Sequence, residues 1–213
     1  LRSLRVLRRE LEVDVEHRAR KREVARKLLH LTGLVVPFSY IQAGRHLTVT
    51  ALAICLAISA ILEVVRLRCS RLFPFQPLFS ALARPMEAKL PSGYLHFFLG
   101  SLIVAALLQP APAVIALTAS IVGDVASTLV GSWIGRVKLL GGRRTLEGTL
   151  AGAALIATLS GIYPLPLVLA ASIAFIVAEA INKDSVVDDN LLHPLLLGAA
   201  AQLCSLATGI KCL

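Results

Sequence analysis

The chain is 213 residues long, 56% hydrophobic and only 16% charged, with a mean hydropathy of +0.76. Ordinary soluble domains carry about 25% charged residues, and a chain this apolar cannot stay solvated as a disordered polymer. A formal charge of +9 points first to nucleic acid as a partner, but the distribution of that charge, set out below, excludes it.

Residues 1–27 hold ten Lys/Arg and five Asp/Glu, with Leu1, Leu4, Leu7 and Leu11 at helical spacing. They read as a basic amphipathic segment on the cytoplasmic leaflet, or equally as a solvated tail. The segment lacks the apolar core of a cleavable signal peptide. The cysteines Cys55, Cys69, Cys204 and Cys212 show neither a Cys-x-x-Cys pair nor Cys/His metal spacing, so neither disulfide nor structural metal is expected.

Residues 28–213 form one membrane domain. Seven apolar runs follow one another, at 28–44, 47–65, 94–109, 111–133, 146–163, 165–181 and 191–210. They predict an all-α, polytopic bundle of about seven transmembrane helices. Gln-Pro-Ala-Pro at 109–112 and Tyr-Pro-Leu-Pro at 163–166 each end one helix and open the next. Small residues crowd the fifth run (Thr149, Ala151, Gly152, Ala153, Ala154), where helices in lipid approach closely. With the N-terminus in the cytoplasm, the inner segments carry 20 of the 22 Lys and Arg residues, and the outer ones only Arg45 and Lys211. The positive charge is therefore a topology signal and not a nucleic-acid surface.

The acids outside the N-terminal segment sort to the same side: Glu63, Glu87, Asp124, Glu147, Glu179, Asp184, Asp188 and Asp189. Carboxylates at membrane depth are costly and face a cavity or a partner, so this convergence predicts a polar site at the cytoplasmic ends of the helices. Asp124, Ser127 and Thr128 share one helical face, a set able to hold a hydrated Mg²⁺ and a phosphate. Gly141 and Gly142 allow close backbone approach, Arg143 and Arg144 can clamp phosphate oxygens, and Thr145 can cap the fifth helix. The plainer readings are helix-end ion pairs (Glu63 with Arg66, Glu179 with Lys183), a favourable first-turn acid (Glu147) and basic loop residues obeying the topology rule.

Taken together, Gly-Asp-x-Ala-Ser (123–127), Gly-x-x-x-Gly (131–135) and Arg-Thr-Leu-Glu-Gly-Thr (144–149) resemble the CTP-dependent polyprenol kinases, a group that includes dolichol, phytol and CTP-dependent diacylglycerol kinases. Arg26-Lys27-x-x-His30, Glu63-x-x-Arg66 and Asp188-Asp189-Asn190 with Pro194 match in the same order. One departure is Arg144, where the family has lysine, so a planar fork replaces a point-like ammonium.

The resemblance implies transfer of the γ-phosphoryl of CTP to a membrane polyprenol at a cytoplasmic site, in the cell membrane rather than the endoplasmic reticulum. It implies Mg²⁺ on Asp124 and on Asp188 or Asp189, with Glu147 or His30 orienting or deprotonating the alcohol. Nucleotide binding falls to Lys27, Ser127, Thr128, Arg136, Lys138, Gly141, Gly142, Arg143, Arg144, Thr145 and Asn190, supported by Glu63, Arg66 and Glu179. No Walker A motif is present, which excludes a P-loop kinase. A CDP-lipid synthase would use the same nucleotide, metal and lipid partner but release pyrophosphate. A transporter would place polar residues near the bilayer midplane or on both sides, and the outer half here is nearly bare of charge.

Overall fold

The computed structural model describes residues 21–83, 85–142, 144–182 and 187–210. Most of the N-terminal amphipathic segment, Arg143 and the loop acid Asp184 therefore lie outside the described residues, as does Cys212. Among the described residues the structure is all-helical, with a single isolated β-bridge between Lys138 and Thr145. The helices are α1 (21–31), α2 (Val35–Arg68), α3 (Gln76–Leu82), α4 (Gly93–Leu107), α5 (Pro110–Ile134), α6 (Leu146–Ala157), α7 (Leu165–Ile181) and α8 (Asp189–Thr208).

The boundaries follow local chemistry. A 3₁₀ turn at Thr32–Leu34 carries α1 into α2. Inside α2, Gly44 has φ 77° and ψ 173°, a region open essentially to glycine alone, and the helix breaks there. His30 and Ile58 line one cavity, although 28 residues of unbroken helix would hold them roughly 42 Å apart. The chain therefore turns back at Gly44, and its two arms, 21–43 and 45–68, run side by side. The second arm is antiparallel to α4: Glu63 meets Ser92 at one end and Arg45 meets the Ala106 carbonyl at the other. Proline occupies the first turn of both α5 and α7, at the two junctions expected from sequence. Thr145 caps α6 by accepting from the Gly148 N–H at 3.3 Å, and Asp188 caps α8 through the Asn190 N–H at 2.9 Å. The short helix α3, inside the 66–93 connection, has no counterpart in the hydropathy pattern.

α5 is the axis of the bundle. Ala113, Val114, Ile115 and Ala116 are fully buried on it, and α4, α6, α7, α8 and α2 all pack against it. Its closest neighbour is α6. A Cβ at Gly148 would fall 2.5 Å from the Ser127 carbonyl oxygen, and one at Gly152 would fall 2.7 Å from that of Gly123 and 2.6 Å from the Phe175 ring. Small residues thus let the two backbones touch, as in lipid-embedded helix pairs. The outer surface is apolar: Val35, Phe38, Ile61, Leu107, Ile173 and Leu203 are all more than 60% exposed. Three helical stretches are long and apolar enough to cross a membrane: Lys21–Arg68, which Gly44 divides, Pro110–Ile134 and Asp189–Thr208. α4, α7 and the stretch Leu146–Gly161 are apolar and shorter.

Gly152→Val is expected to lower stability in detergent by about 1–3 kcal/mol through overpacking of the α5–α6 contact. Gly161, with nothing within 4 Å of its Cβ position, is the control. Thermal unfolding of Gly161→Val should stay close to the parent, and equal losses at both positions would refute the close crossing.

Candidate functional site

Among the described residues, the charged side chains buried in the bundle gather at one end. Lys27 and His30 come from α1, Asp124 and Ser127 from α5, and Arg144 and Thr145 from the loop before α6. Thr149 comes from α6, Glu179 from α7, and Asp189 and His193 from α8. Lys27, Asp124, Thr149, Glu179, Asp189 and His193 are each at most 5% exposed. The alternation of the chain explains the convergence: α1, α6 and α8 begin at this end, and the second arm of α2 and α7 finish there.

Arg144 stands at the centre. Its Nη2 pairs with Asp189 and lies 3.5 Å from Asp124 Oδ1, while its Nε lies 3.4 Å from Glu179 Oε1. Its Nη1 donates to Thr128 Oγ1 at 3.4 Å. Burial opposes the charge on Arg144, but the carboxylates of Asp189, Glu179 and Asp124 outweigh it and raise its pKa above the usual arginine value. A planar fork with five donors suits one cation shared among three carboxylates. Lys27 pairs with Asp124 Oδ2, and His30 Nε2 lies 3.9 Å from the same oxygen. Glu179 Oε2 accepts from Ser127 at 2.8 Å and Thr149 at 3.3 Å. Asn182 donates to Asp189 Oδ1 at 2.8 Å.

Among the described residues, the buried carboxylates of Asp124, Glu179 and Asp189 thus face the cations of Arg144 and Lys27. Among the described residues, Glu179 Oε1 and both ring nitrogens of His193 make no hydrogen bond, although His193 Nε2 lies 3.5 Å from Glu179 Oε1. Asp124, Glu179 and His193 each offer a ligand atom within 4.8 Å of the others, a grouping able to hold a cation.

The other expected residues take different places. Glu147 accepts from the backbone N–H groups of Arg136, at 3.0 Å, and Val137, at 3.2 Å. It therefore organises the loop before α6, which also closes through Leu139 N–H to Arg144 O and Leu146 N–H to Val137 O, at 2.9 and 2.8 Å. Arg136 and Lys138 are exposed on that loop, and Gly141 and Gly142 form its tight turn. Asp188 caps α8 and stands apart from the ion-pair cluster. Glu63 and Arg66 form a separate buried network. Arg66 donates to both Glu63 oxygens, at 3.0 and 2.6 Å, and to the carbonyls of Glu87 and Leu90 at 2.7 and 2.8 Å. Glu63 in turn accepts from Ser92 N–H and Oγ, at 2.8 and 2.9 Å, and from Tyr94. This network fixes the 66–93 connection to α2. Arg66 also stacks over the Phe79 ring at 4.4 Å, which seats α3.

Beside the cluster lies a cavity of ≈ 520 Å³ between the two arms of the hairpin, α3 and α4. Its walls are mostly apolar. His30, Phe97 and Asn190 line both this cavity and a small one of ≈ 10 Å³ that reaches Asp124, Asp189 and His193. His30 is set edge-on against Phe97, with ring centroids 5.6 Å apart, and Asn190 donates to the Gly93 carbonyl at 3.2 Å.

Sequence reasoning did not single out His193 or Asn182. Their signal was weak: His193 is three residues beyond Asn190 on the face of α8 that bears Asp189, but a lone histidine in an apolar helix is commonly a core residue. The central place of Glu179 was equally hidden, because it reads as an ordinary helix-end acid.

Asp124→Asn is expected to lower stability by about 3–5 kcal/mol, because Lys27 is left buried beside an uncharged partner. Removing that charge as well, in Asp124→Asn with Lys27→Met, should restore much of the loss in thermal unfolding. A double variant no more stable than Asp124→Asn alone would refute the pairing.

No protein-family model, curated protein or solved structure matches this chain.

Proposed function

We propose that the protein is a multi-pass membrane lipid kinase that transfers the γ-phosphoryl group of CTP to the hydroxyl of a polyprenol-like alcohol. The observation that carries this reading is the junction of two unlike spaces: an apolar cavity meets a buried cluster of acids and cations across His30, Phe97 and Asn190. A lipid alcohol needs the first space for its chain and the second for its reacting hydroxyl. The choice of CTP rests on the motif resemblance alone.

In this reading the seven helical segments (the two arms of the hairpin, α4, α5, α6, α7 and α8) all span the membrane. The polar end and the N-terminus face the cytoplasm of the cell membrane, and the C-terminus lies outside. The 20-to-2 division of Lys and Arg supports that orientation.

The reaction joins the alcohol oxygen to the γ-phosphorus and breaks the bond from that phosphorus to the β–γ bridging oxygen, releasing CDP. His30, exposed to the lipid cavity on one side and 3.9 Å from Asp124 on the other, receives the alcohol proton. Asp124 holds the imidazole in place and stabilises the imidazolium. The exposed cations Arg136 and Lys138 meet the triphosphate. Arg144 keeps the three carboxylates fixed. For Mg²⁺, Glu179 Oε1, which accepts no hydrogen bond and lies 3.4 Å from Arg144 Nε, and the carboxylate of Asp124 are hard oxygen donors of the right kind, while Asp188, engaged as a helix cap, does not belong to the set. Bound there by Asp124 and Glu179, the ion would offset phosphate charge.

Purified protein incubated with radiolabelled CTP and a panel of lipid alcohols and diacylglycerol should yield a labelled lipid phosphate and CDP. ATP should serve less well. Release of pyrophosphate with a CDP-lipid would identify a cytidylyltransferase instead, and absence of transfer to every acceptor would overturn the reading. His30→Gln should lower kcat by about 10²–10⁴-fold with the KM for CTP little changed. A reporter fused after Leu213 should be accessible from outside the cell, and a cytoplasmic signal would refute the seven-span topology.

A further inference from the structure

We infer that the ≈ 520 Å³ cavity binds the first 15 to 20 or so carbons of a single-chain lipid alcohol, which enters sideways from the bilayer between the two arms of the hairpin. Three observations carry this. The first is size. A methylene group takes up about as much room as a water molecule, about 30 Å³, so the cavity accepts on the order of 17 carbon-sized groups. That is one chain of three to four isoprene units, and too little for the paired chains of a diacylglycerol.

The second is the lateral opening. Leu29 on the first arm and Ile58 on the second both line the cavity, yet are 51% and 52% exposed on the apolar outer surface. The space between the arms therefore faces lipid rather than water. A chain longer than the cavity leaves through this gap into the bilayer without further contact.

The third is polarity. Polar groups at the end toward the ion-pair cluster include Arg26, Lys27, His30, Ser92, Tyr94 and Asn190, while Cys55, Ile58, Phe97 and Phe98 form apolar walls. A single hydroxyl headgroup fits between His30 and Asn190, and the volume of the cavity, rather than a lack of donors, excludes the paired chains of a diacylglycerol. The identity of the occupant as an alcohol rests on the proposed kinase reading. The single-chain geometry does not.

Cys55 is a built-in reporter, since it is a free thiol on the cavity wall. The full-length protein in detergent would be alkylated with a membrane-permeant maleimide and each cysteine followed by mass spectrometry. A C20 isoprenol at ten times its Kd should slow alkylation of Cys55 about tenfold, with Cys69 and Cys204 unchanged. A C55 isoprenol should protect as well as the C20, a C10 isoprenol should bind more weakly, and diacylglycerol should not protect. Ser59→Phe should shift the best ligand toward C10, and Phe98→Ala should move the plateau to longer chains.

Protection by diacylglycerol equal to that by the C20 alcohol, continued gain in affinity from C20 to C55, or no protection by any alcohol would overturn the inference. If alcohols protect Cys55 but none accepts phosphate from CTP, the kinase reading fails and the cavity assignment stands. If phosphate transfer occurs without protection of Cys55, the reverse holds.

Discussion

Arg144 reaches three carboxylates from three different helices: Asp124 on α5, Glu179 on α7 and Asp189 on α8. Each of those acids is almost wholly removed from solvent, and an unpaired ionised group in that position costs several kcal/mol. The guanidinium is thus the condition on which these three helices can bring their acids together. Lys27 adds the second cation and ties the first arm of the hairpin to the same point. The bundle is cross-linked electrostatically at this end, whereas its other end is joined chiefly by apolar packing and a few hydrogen bonds such as Gln109 N–H to Gln202 at 2.8 Å.

Such a cluster demands precise helix placement, and the packing elsewhere supplies it. Ser127 can donate to Glu179 on α7 only because α6 does not push α5 away. The backbone contacts at Gly148 and Gly152 keep α5 and α6 in touch, and Phe175 of α7 packs into the same crossing. The His193 ring packs against Phe175 in turn, at 5.1 Å between centroids, so the apolar core and the polar cluster share a wall. Pro194, one residue on, removes the N–H that would have bonded to the Asn190 carbonyl, and α4 passes there at Gly100. Substitutions in this core therefore act on the site through helix position as well as through stability.

What could be read from the sequence and what could not have a common physical origin. Helix ends set by local chemistry were legible: Pro110, Pro166, Thr145 and the apolar run at 165–181 all mark boundaries that the structure has. The gathering of charged residues at one end was legible too, because the acids outside the N-terminal segment, Asp124 within α5 excepted, lie in loops or near helix ends on one side of an alternating chain. Pairings were not. Nothing at Glu147 reveals that its carboxylate binds the backbone of Arg136 and Val137 rather than facing the cluster. Asp188 and Asp189 are adjacent and chemically alike, yet one caps α8 while the other, a helical step further round, joins Arg144. Which neighbour a carboxylate finds depends on helix rotation and crossing, and those are set by the glycine contacts and the turn at Gly44 rather than by the residues around the acid.

The turn at Gly44 also links the two halves of the site. Because the chain reverses there, the first arm carries Lys27 and His30 back to the level of Glu63 and Arg66, and the space between the arms becomes the wall of the large cavity. The same short stretch of α1 then serves two environments: Lys27 faces Asp124 in the ion-pair cluster, while Leu29 borders the apolar cavity and His30 touches both. A straight helix through residue 44 would place 45–68 far from α1, and the cavity would lose the wall formed by Cys55, Ile58, Ser59 and Leu62. The large cavity is therefore a product of that backbone reversal, and a change in the angle between the arms alters its shape beside His30.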